Sequence, residues 1–473
     1  MKLATKIGYG VGQSSDGIKQ VAFSTFLFFY YNQVLGLSSG LAGIAALLAL
    51  FVDAITDPMV GQLSDRFKSR WGRRHPFMLA GALTFGIAFY ILFSPPANLS
   101  ESGLFYWMLG WAIAVRLTLT LFYVPHLSLG AEMIKDYHQR TSLISFRVFF
   151  GYLSGILLTI IGFTVFFPKT EAYPNGLLNA AGYQNFALFA AAAATFAMLW
   201  CVFSTRKQIP LLSQPIIDPK AKNPLLAFIT VFSTLQLKSF KVLFFTILIF
   251  MTMAGITQTL IIYVASFLFG FSTEQMAILI ASQLIGLFVA PLMAKKLSIR
   301  FDKRKTLAVT VFIGAVVGYF PIMMYLVGQF QPLTMNTKML LVFACSGISQ
   351  TFFIAYLIVF DSMLSDTIDE HELDTGRREE GLFFAARSFA LKASFGLGAF
   401  IAGIALEVIK FPKGVAVDQI PTESLINLAI FAGPISLCLT LLTILISRNY
   451  TLHEERHKEI RDEISSRSVN ANV

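Results

Sequence analysis

Residues 51–77 read FVDAITDPMVGQLSDRFKSRWGRRHPF. An apolar run carries two acids one helical turn apart, Asp53 and Asp57, and then breaks into a cluster of arginines. The apolar residues are continuous and do not alternate, so the run reads as a helix and not as a barrel strand. The same pattern repeats along the chain. Hydrophobic residues make up 55% of the 473 positions and charged residues only 14%, where a soluble globular chain carries roughly a quarter charged. A bilayer is crossed by roughly 20 apolar residues as helix. The blocks of about that length predict twelve spans, over 7–36, 39–66, 76–97, 103–133, 141–167, 183–204, 239–270, 273–298, 305–328, 338–365, 380–410 and 421–447.

Laid alternately up and down, these spans put most Lys and Arg on one side. That side holds both termini and the loops near 66–75, 133–140, 205–238, 295–305 and 376–380. The other side keeps Lys169, Lys338, Lys410 and Lys413. The excess of positive charge predicts that both termini are cytoplasmic. The net charge of +10 then reflects topology, and no nucleic-acid partner is expected. No small-residue cleavage site interrupts the first apolar run, so the first helix is expected to serve as its own insertion signal. Cys201, Cys345 and Cys438 lie inside predicted spans without paired spacing and read as small apolar residues.

The longest polar interruption is 205–238, with Pro210, Pro215, Pro219 and Pro224. It divides the chain into a six-helix bundle over 1–205, a cytoplasmic linker over 206–238, a second six-helix bundle over 239–448 and a tail over 449–473. Asn223-Pro224 reads as the start of an interfacial helix in the linker. A short amphipathic helix is expected in the tail around Leu452–Ile464. SDRFKSRWGRRHPF (64–77) and SIRFDKRKTL (298–307) occupy corresponding loops of the two bundles, which suggests a parallel repeat.

An ionisable group near the bilayer centre costs roughly 2.5–3.5 kcal/mol on insertion scales. The spans contain Asp16, Lys19, Asp53, Asp57, Arg116, Arg147, Arg387 and Lys392, so these groups must pair or face water. Counting helical rise, Asp16, Asp53, Asp57, Arg147 and Lys392 fall in one slab about 12–20 Å from the cytoplasmic helix ends, the placing of a central binding site. Asp53 and Asp57 share a helix face, Thr56 adds a hydroxyl, and Pro58 removes the donor opposite the carbonyl of Ala54. Two neighbouring carboxylates in apolar surroundings repel unless a positive species sits between them. Sodium, a hard ion that takes oxygen ligands, or a proton would serve. The competing reading makes the acids permanent salt-bridge partners of Arg116, Arg147 or Lys392. Arg116 and Arg387 read as structural, and His126 as a packing residue.

At these residues the sequence resembles the glycoside–pentoside–hexuronide:cation symporter family of major facilitators. D-A-x-T-D-P-x-x-G followed by R-W-G-R-R carries the resemblance. YGVGQ, YYNQVLGLS, YVPHLSL, RTSLISFR and SDTIDEHELDTGRREEG also fit, in chain order, over nearly the whole chain. The resemblance implies an all-α integral membrane protein with the major facilitator fold: twelve transmembrane helices in two six-helix halves. It implies a cation site at Asp53, Thr56, Asp57 and Thr120, with Na⁺ held at Asp53 and Asp57. It places Arg147 and Lys392 near substrate and cation, and a cytoplasmic ionic gate at Arg140, Asp366, Asp369 and Glu380. Asp65, Arg66, Arg73 and Arg74 match a loop that locks helix packing.

The family's sugar-binding positions are not kept. Gly17, with Asp16 beside it, stands where the sugar carriers have an aspartate, Tyr123 replaces a second aspartate, and Leu127 replaces a stacking tryptophan. Asp16, Lys19, Tyr123, Arg147 and Lys392 are therefore expected to line a site for an amphiphile such as a lysophospholipid, as in the sodium-dependent lysophosphatidylcholine branch. The alternative is a Na⁺- or H⁺-coupled glycoside or oligosaccharide carrier. A polytopic membrane enzyme is the remote third reading, since no metal-ligand cluster, nucleophile elbow or phosphate loop is present in the sequence. No cofactor is expected beyond the coupling ion. A monomer in the bacterial inner membrane is expected.

Overall fold

The computed structural model describes residues 2–133, 137–211, 232–376, 379–415 and 419–470. Asn223-Pro224 and the linker helix expected after it lie outside the described residues, up to a 3₁₀ turn at Phe232–Gln236. Among the described residues there is no strand, and eleven helices are long and apolar enough to cross a membrane.

The first predicted span is also helical, in pieces. α1 (Leu3–Gly12) and α2 (Ser14–Val21) meet at a turn on Gln13, and the path continues through π-helical turns at Ala22–Leu27 and Tyr30–Val34. There follow α3 (Ser39–Arg66), α4 (His75–Leu92), α5 (Glu101–Met133), α6 (Tyr137–Ile161) and α7 (Ala180–Thr205). After the linker come α8 (Lys238–Tyr263), α9 (Thr273–Arg300), α10 (Lys303–Leu326), α11 (Met335–Thr375) and α12 (Glu380–Val408). The last predicted span is α13 (Thr422–Ile430), a π turn at Phe431–Ile435 and α14 (Ser436–Ser447); α15 (Glu454–Asn470) ends the chain.

The repeat is visible in backbone bonds. The first span ends in a π turn with Leu35 N donating to Tyr30 O and Leu37 N to Tyr31 O, and Gly36 at φ +80°. α8 ends through a π turn at Val264–Leu268 with Phe269 N donating to Val264 O and Phe271 N to Ala265 O, and Gly270 at φ +70°. Both glycines take the left-handed conformation that lets the chain reverse into α3 and α9, a conformation costly for residues with a Cβ.

The chain forms two compact units. One is Met1–Ala227 with Ile261–Ala277 and Ala399–Ile420; the other is Phe228–Leu260 with Ile278–Gly398 and Pro421–Val473. In the first, helices approach through glycines, as membrane helices do when small residues let backbones close in. A Cβ on Gly17 would meet the carbonyl oxygen of Gly151 on α6, and one on Gly81 would lie 2.7 Å from Thr118 O on α5. In the second, a Cβ on Gly398 would lie 2.7 Å from the Gly255 backbone. Its core gathers Phe240, Ile247, Tyr356, Phe360 and Met363, and it also takes in Tyr450, Leu452 and Ile460 from the C-terminal segment. The Tyr450 hydroxyl donates to Met363 O at 3.1 Å, and burial pushes its phenol pKa up. The tail is thus one docked helix as far as Asn470, longer than the short helix expected from the sequence.

Candidate functional site

α3 and α5 each carry polar groups one turn apart, and their facing turns bring these groups together in the first unit. Arg116 Nη1 donates to Asp53 Oδ2 at 2.9 Å, and the guanidinium lies 5.4 Å from the centre of the Phe23 ring, a favourable cation–π distance. Thr120, one turn on from Arg116, has its hydroxyl oxygen 3.1 Å from Asp53 Oδ1 and 2.9 Å from Asp57 Oδ1. Thr56 turns its hydroxyl back to its own helix, donating to Asp53 O at 3.3 Å. The salt-bridge reading therefore holds for Asp53, with Arg116 as partner.

The Thr120 contacts constrain the proton inventory. A threonine hydroxyl carries one proton and can donate to one of the two carboxylate oxygens at a time. The second short oxygen–oxygen contact calls for a proton on a carboxyl or a cation among the oxygens. Asp53 has a positive partner in Arg116 at 2.9 Å.

Of the expected substrate residues, four lie in the first unit. Lys19 Nζ is 3.6 Å from Asp16 Oδ1, and Gln13 Nε2 donates to Asp16 Oδ2 at 3.0 Å. Tyr123 lies on α5, three residues on from Thr120. Arg147 is half-buried on α6. Gln13 and Tyr9 were not singled out in the sequence, although YGVGQ contains both. Gly17 packs onto α6 with no room for a side chain, so an acid there would be excluded by the helix contact. Lys392 is half-buried on α12, in the second unit. His126 is fully buried, stacked on Tyr9 (4.3 Å) and Phe122 (5.3 Å), with Nε2 2.9 Å from Tyr9 O.

The α3–α4 loop is a small ionic lock. Arg74, only 4% exposed, bridges Ser64 and Asp65 to Glu132 at the end of α5, and Arg73 Nη2 lies 2.8 Å from Glu132 Oε1. Arg66 is exposed. Glu132 escaped the sequence reading; its signal is an acid at the end of a span next to a loop crowded with arginine. The second unit has a counterpart. Lys303 at the start of α10 donates to Asp366 on α11 at 2.6 and 2.8 Å.

The proposed gate acids have partners in their own unit. Asp366 and Asp369 meet His457 of α15 at 3.5 and 3.0 Å, and Arg461 lies 3.6 Å from Asp369. Glu380 is exposed at the start of α12. Arg140 lies on α6, and its side chain is outside the described residues. Arg387, read as structural, forms a two-pronged pair with Asp361 at 2.5 and 2.8 Å. Asp361 was missed because it lies inside an apolar block.

Long apolar helices with paired ionisable groups inside a helix bundle suit a polytopic membrane protein, and the family match makes it a transporter and not an enzyme. The chain belongs to the MFS/sugar transport protein family, whose profile matches residues 8–454, and within the major facilitators to the glycoside–pentoside–hexuronide:cation symporters. It is 25% identical to the inner membrane symporter YicJ of Escherichia coli over 98% of this chain and 95% of that one. It is 25% identical to the isoprimeverose transporter of Lactiplantibacillus pentosus over 85% of this chain and 79% of that one. The inward-open xylose transporter XylE of E. coli, in a partially occluded form, shares the fold with a TM-score of 0.60 at 14% identity, over 96% of this chain and 98% of that one. The protein is a multi-pass inner membrane transporter of the symporter type.

Proposed function

We propose that this protein is a cation-coupled glycoside symporter working by alternating access, with Asp57, Thr120 and Asp53 as the ion site. The observation that carries the ion site is the single Thr120 hydroxyl shared by two carboxylate oxygens at 3.1 and 2.9 Å. Proton or sodium entry there removes the repulsion that one hydroxyl proton cannot satisfy. Arg116 lies 2.9 Å from Asp53, and Asp53 and Asp57 together are proposed to take up the coupling ion. Asp16, Lys19, Tyr123 and Arg147 supply hydrogen-bond donors and acceptors on neighbouring surfaces, and Lys392 belongs to the substrate set by the family resemblance. Asp366, Asp369, Glu380 and Arg140 are proposed to gate the cytoplasmic side, where both termini are placed by the positive-charge bias.

The substrate class rests on relatives. The family description names sugar transport, and a relative covering most of the chain is named for isoprimeverose, a disaccharide. These favour a glycoside over the lysophospholipid expected from the missing sugar residues. The test is uptake of labelled isoprimeverose and labelled lysophosphatidylcholine into proteoliposomes, each with an imposed Na⁺ gradient, an imposed H⁺ gradient or neither. Gradient-driven accumulation of the disaccharide is expected. Accumulation of the lysophospholipid alone would overturn the glycoside assignment.

A further inference from the structure

We infer that the cavity between the α3–α4 loop and the end of α7 binds the phosphate headgroup of an anionic membrane lipid. The cavity measures about 440 Å³ and is lined by Arg70, Trp71, Arg206 and Ile209, all in the first unit. The loop run SRWGRR (69–74) carries three arginines, and they divide by partner. Arg73 and Arg74 pair with Glu132. Arg70 and Arg206 are exposed and, among the described residues, have no carboxylate partner. The Arg206 guanidinium lies over the Trp71 ring instead, 5.5 Å from its centre. Stacking of this kind orients a guanidinium and leaves its in-plane N–H groups for a ligand. Ser69 holds the loop in shape: its hydroxyl donates to Gly72 O at 2.7 Å and accepts from Trp71 N at 3.1 Å. Gly72 brings the loop against Ile209, since a Cβ there would lie 3.1 Å from Ile209 Cγ2.

Two guanidiniums with N–H edges to offer suit the oxygens of a phosphate, which accept charge-assisted bonds from both. Free phosphate and a lipid headgroup share that chemistry, and the surroundings favour the lipid. Phe203 lies one turn before Arg206, Trp200 one turn before Phe203, and Phe67 three residues before Arg70; all three are exposed. Open apolar side chains beside a basic cavity give acyl chains a surface to lie on, and aromatic residues gather at the membrane interface. The positive-charge bias places this end of the bundle on the cytoplasmic side, where basic pockets meet anionic headgroups. A lipid held there would join the loop to α7 beside the Arg74 lock. The inference is independent of which solute is carried.

The test is native mass spectrometry of the delipidated full-length protein, titrated with phosphatidylglycerol, phosphatidylcholine or inorganic phosphate. Phosphatidylglycerol is expected to bind saturably and severalfold more tightly than phosphatidylcholine. Arg206→Gln and Arg70→Gln are each expected to raise its apparent Kd about tenfold, the loss of a hydrogen bond between charged groups. Arg206→Lys keeps the charge without the planar fork and is expected to fall between the parent and Arg206→Gln; it decides the matter if the glutamine variant does not fold. Arg300→Gln removes the same charge from an exposed position at the end of α9 and is expected to leave binding unchanged. Equal weakening by Arg206→Gln and Arg300→Gln would overturn the inference, because net charge alone would then account for binding. Equal affinity for the two lipids would also overturn it. Displacement of phosphatidylglycerol by millimolar inorganic phosphate would overturn the lipid assignment and make the cavity a site for free phosphate.

Discussion

Arg116 Nη1 lies 2.9 Å from Asp53 Oδ2, so Asp53 and Asp57, one turn apart on α3, differ in their surroundings. Asp53 is 6% exposed and has a permanent counter-ion; Asp57 shares Thr120 with it. Asp53→Asn would leave the Arg116 charge buried without its partner, a change that costs about 3–5 kcal/mol. Asp57→Asn is expected to lower thermal stability less and to abolish gradient-driven accumulation while sparing exchange of substrate. Melting temperatures of the two variants, with counterflow and uptake in proteoliposomes, check the ranking. A less stable Asp57→Asn protein that still concentrates substrate would contradict it.

Thr120 is expected to tolerate serine and not valine. Serine keeps a hydroxyl between the two carboxylates; valine keeps the volume and removes the hydroxyl that joins them. Coupled uptake should persist in Thr120→Ser and drop by at least an order of magnitude in Thr120→Val, since a buried group left without its hydrogen bond costs about 1–3 kcal/mol. The midpoint of cation activation should shift in the same order.

Helix contact through glycine gives a stability prediction that involves no charge. Gly17→Ala forces a methyl group onto the Gly151 carbonyl, and overpacking of this kind costs about 1–3 kcal/mol. Gly110→Ala on α5 meets nothing within 4 Å and removes a flexible residue from a helix, a gain of roughly 0.5–1 kcal/mol. Thermal unfolding in one detergent should therefore move in opposite directions for the two alanines.

The C-terminal helix is part of the second unit's core. Leu452→Ala deletes a buried side chain and should cost about 2–5 kcal/mol. His457→Ala should cost less and act through Asp366 and Asp369. Limited proteolysis of the purified variants, read as cleavage between Asn449 and Glu454, would report undocking; equal protection in Leu452→Ala and the parent would refute the contribution.

Much of the fold was legible because solvent dictates it. Continuous apolar blocks in lipid can only be helices, so the spans follow from composition, and Asp53, Asp57, Thr120 and Arg116 fall together because i,i+4 spacing on two packed helices leaves little freedom. The π turns at Tyr30–Val34 and Val264–Leu268 were not legible, since no residue preference separates a π turn from an α turn in an apolar run. Their shared Gly36 and Gly270 were visible as letters, but the repeat they mark lies in backbone bonds. Pairings between distant segments, such as Arg74 with Glu132 or Asp369 with His457, depend on which helix ends meet. Charge alone offers each of these acids several basic partners. The substrate preference inferred from Gly17, Tyr123 and Leu127 could not take into account that Gly17 faces a neighbouring backbone and not open space.

The docking of Tyr450, Leu452 and Ile460 into a core whose other members begin at Phe240 sets an order on biosynthesis. Every earlier residue of that core leaves the ribosome before the side chains that complete it. The bundle can insert span by span, but the slot for Tyr450, Leu452 and Ile460 is filled only after the last predicted span has been made. A chain released early, or one fused to a bulky partner just after Ser447, would present that slot to chaperones and membrane proteases. Tyr450, Leu452 and Ile460 thus close a core that the preceding spans leave open.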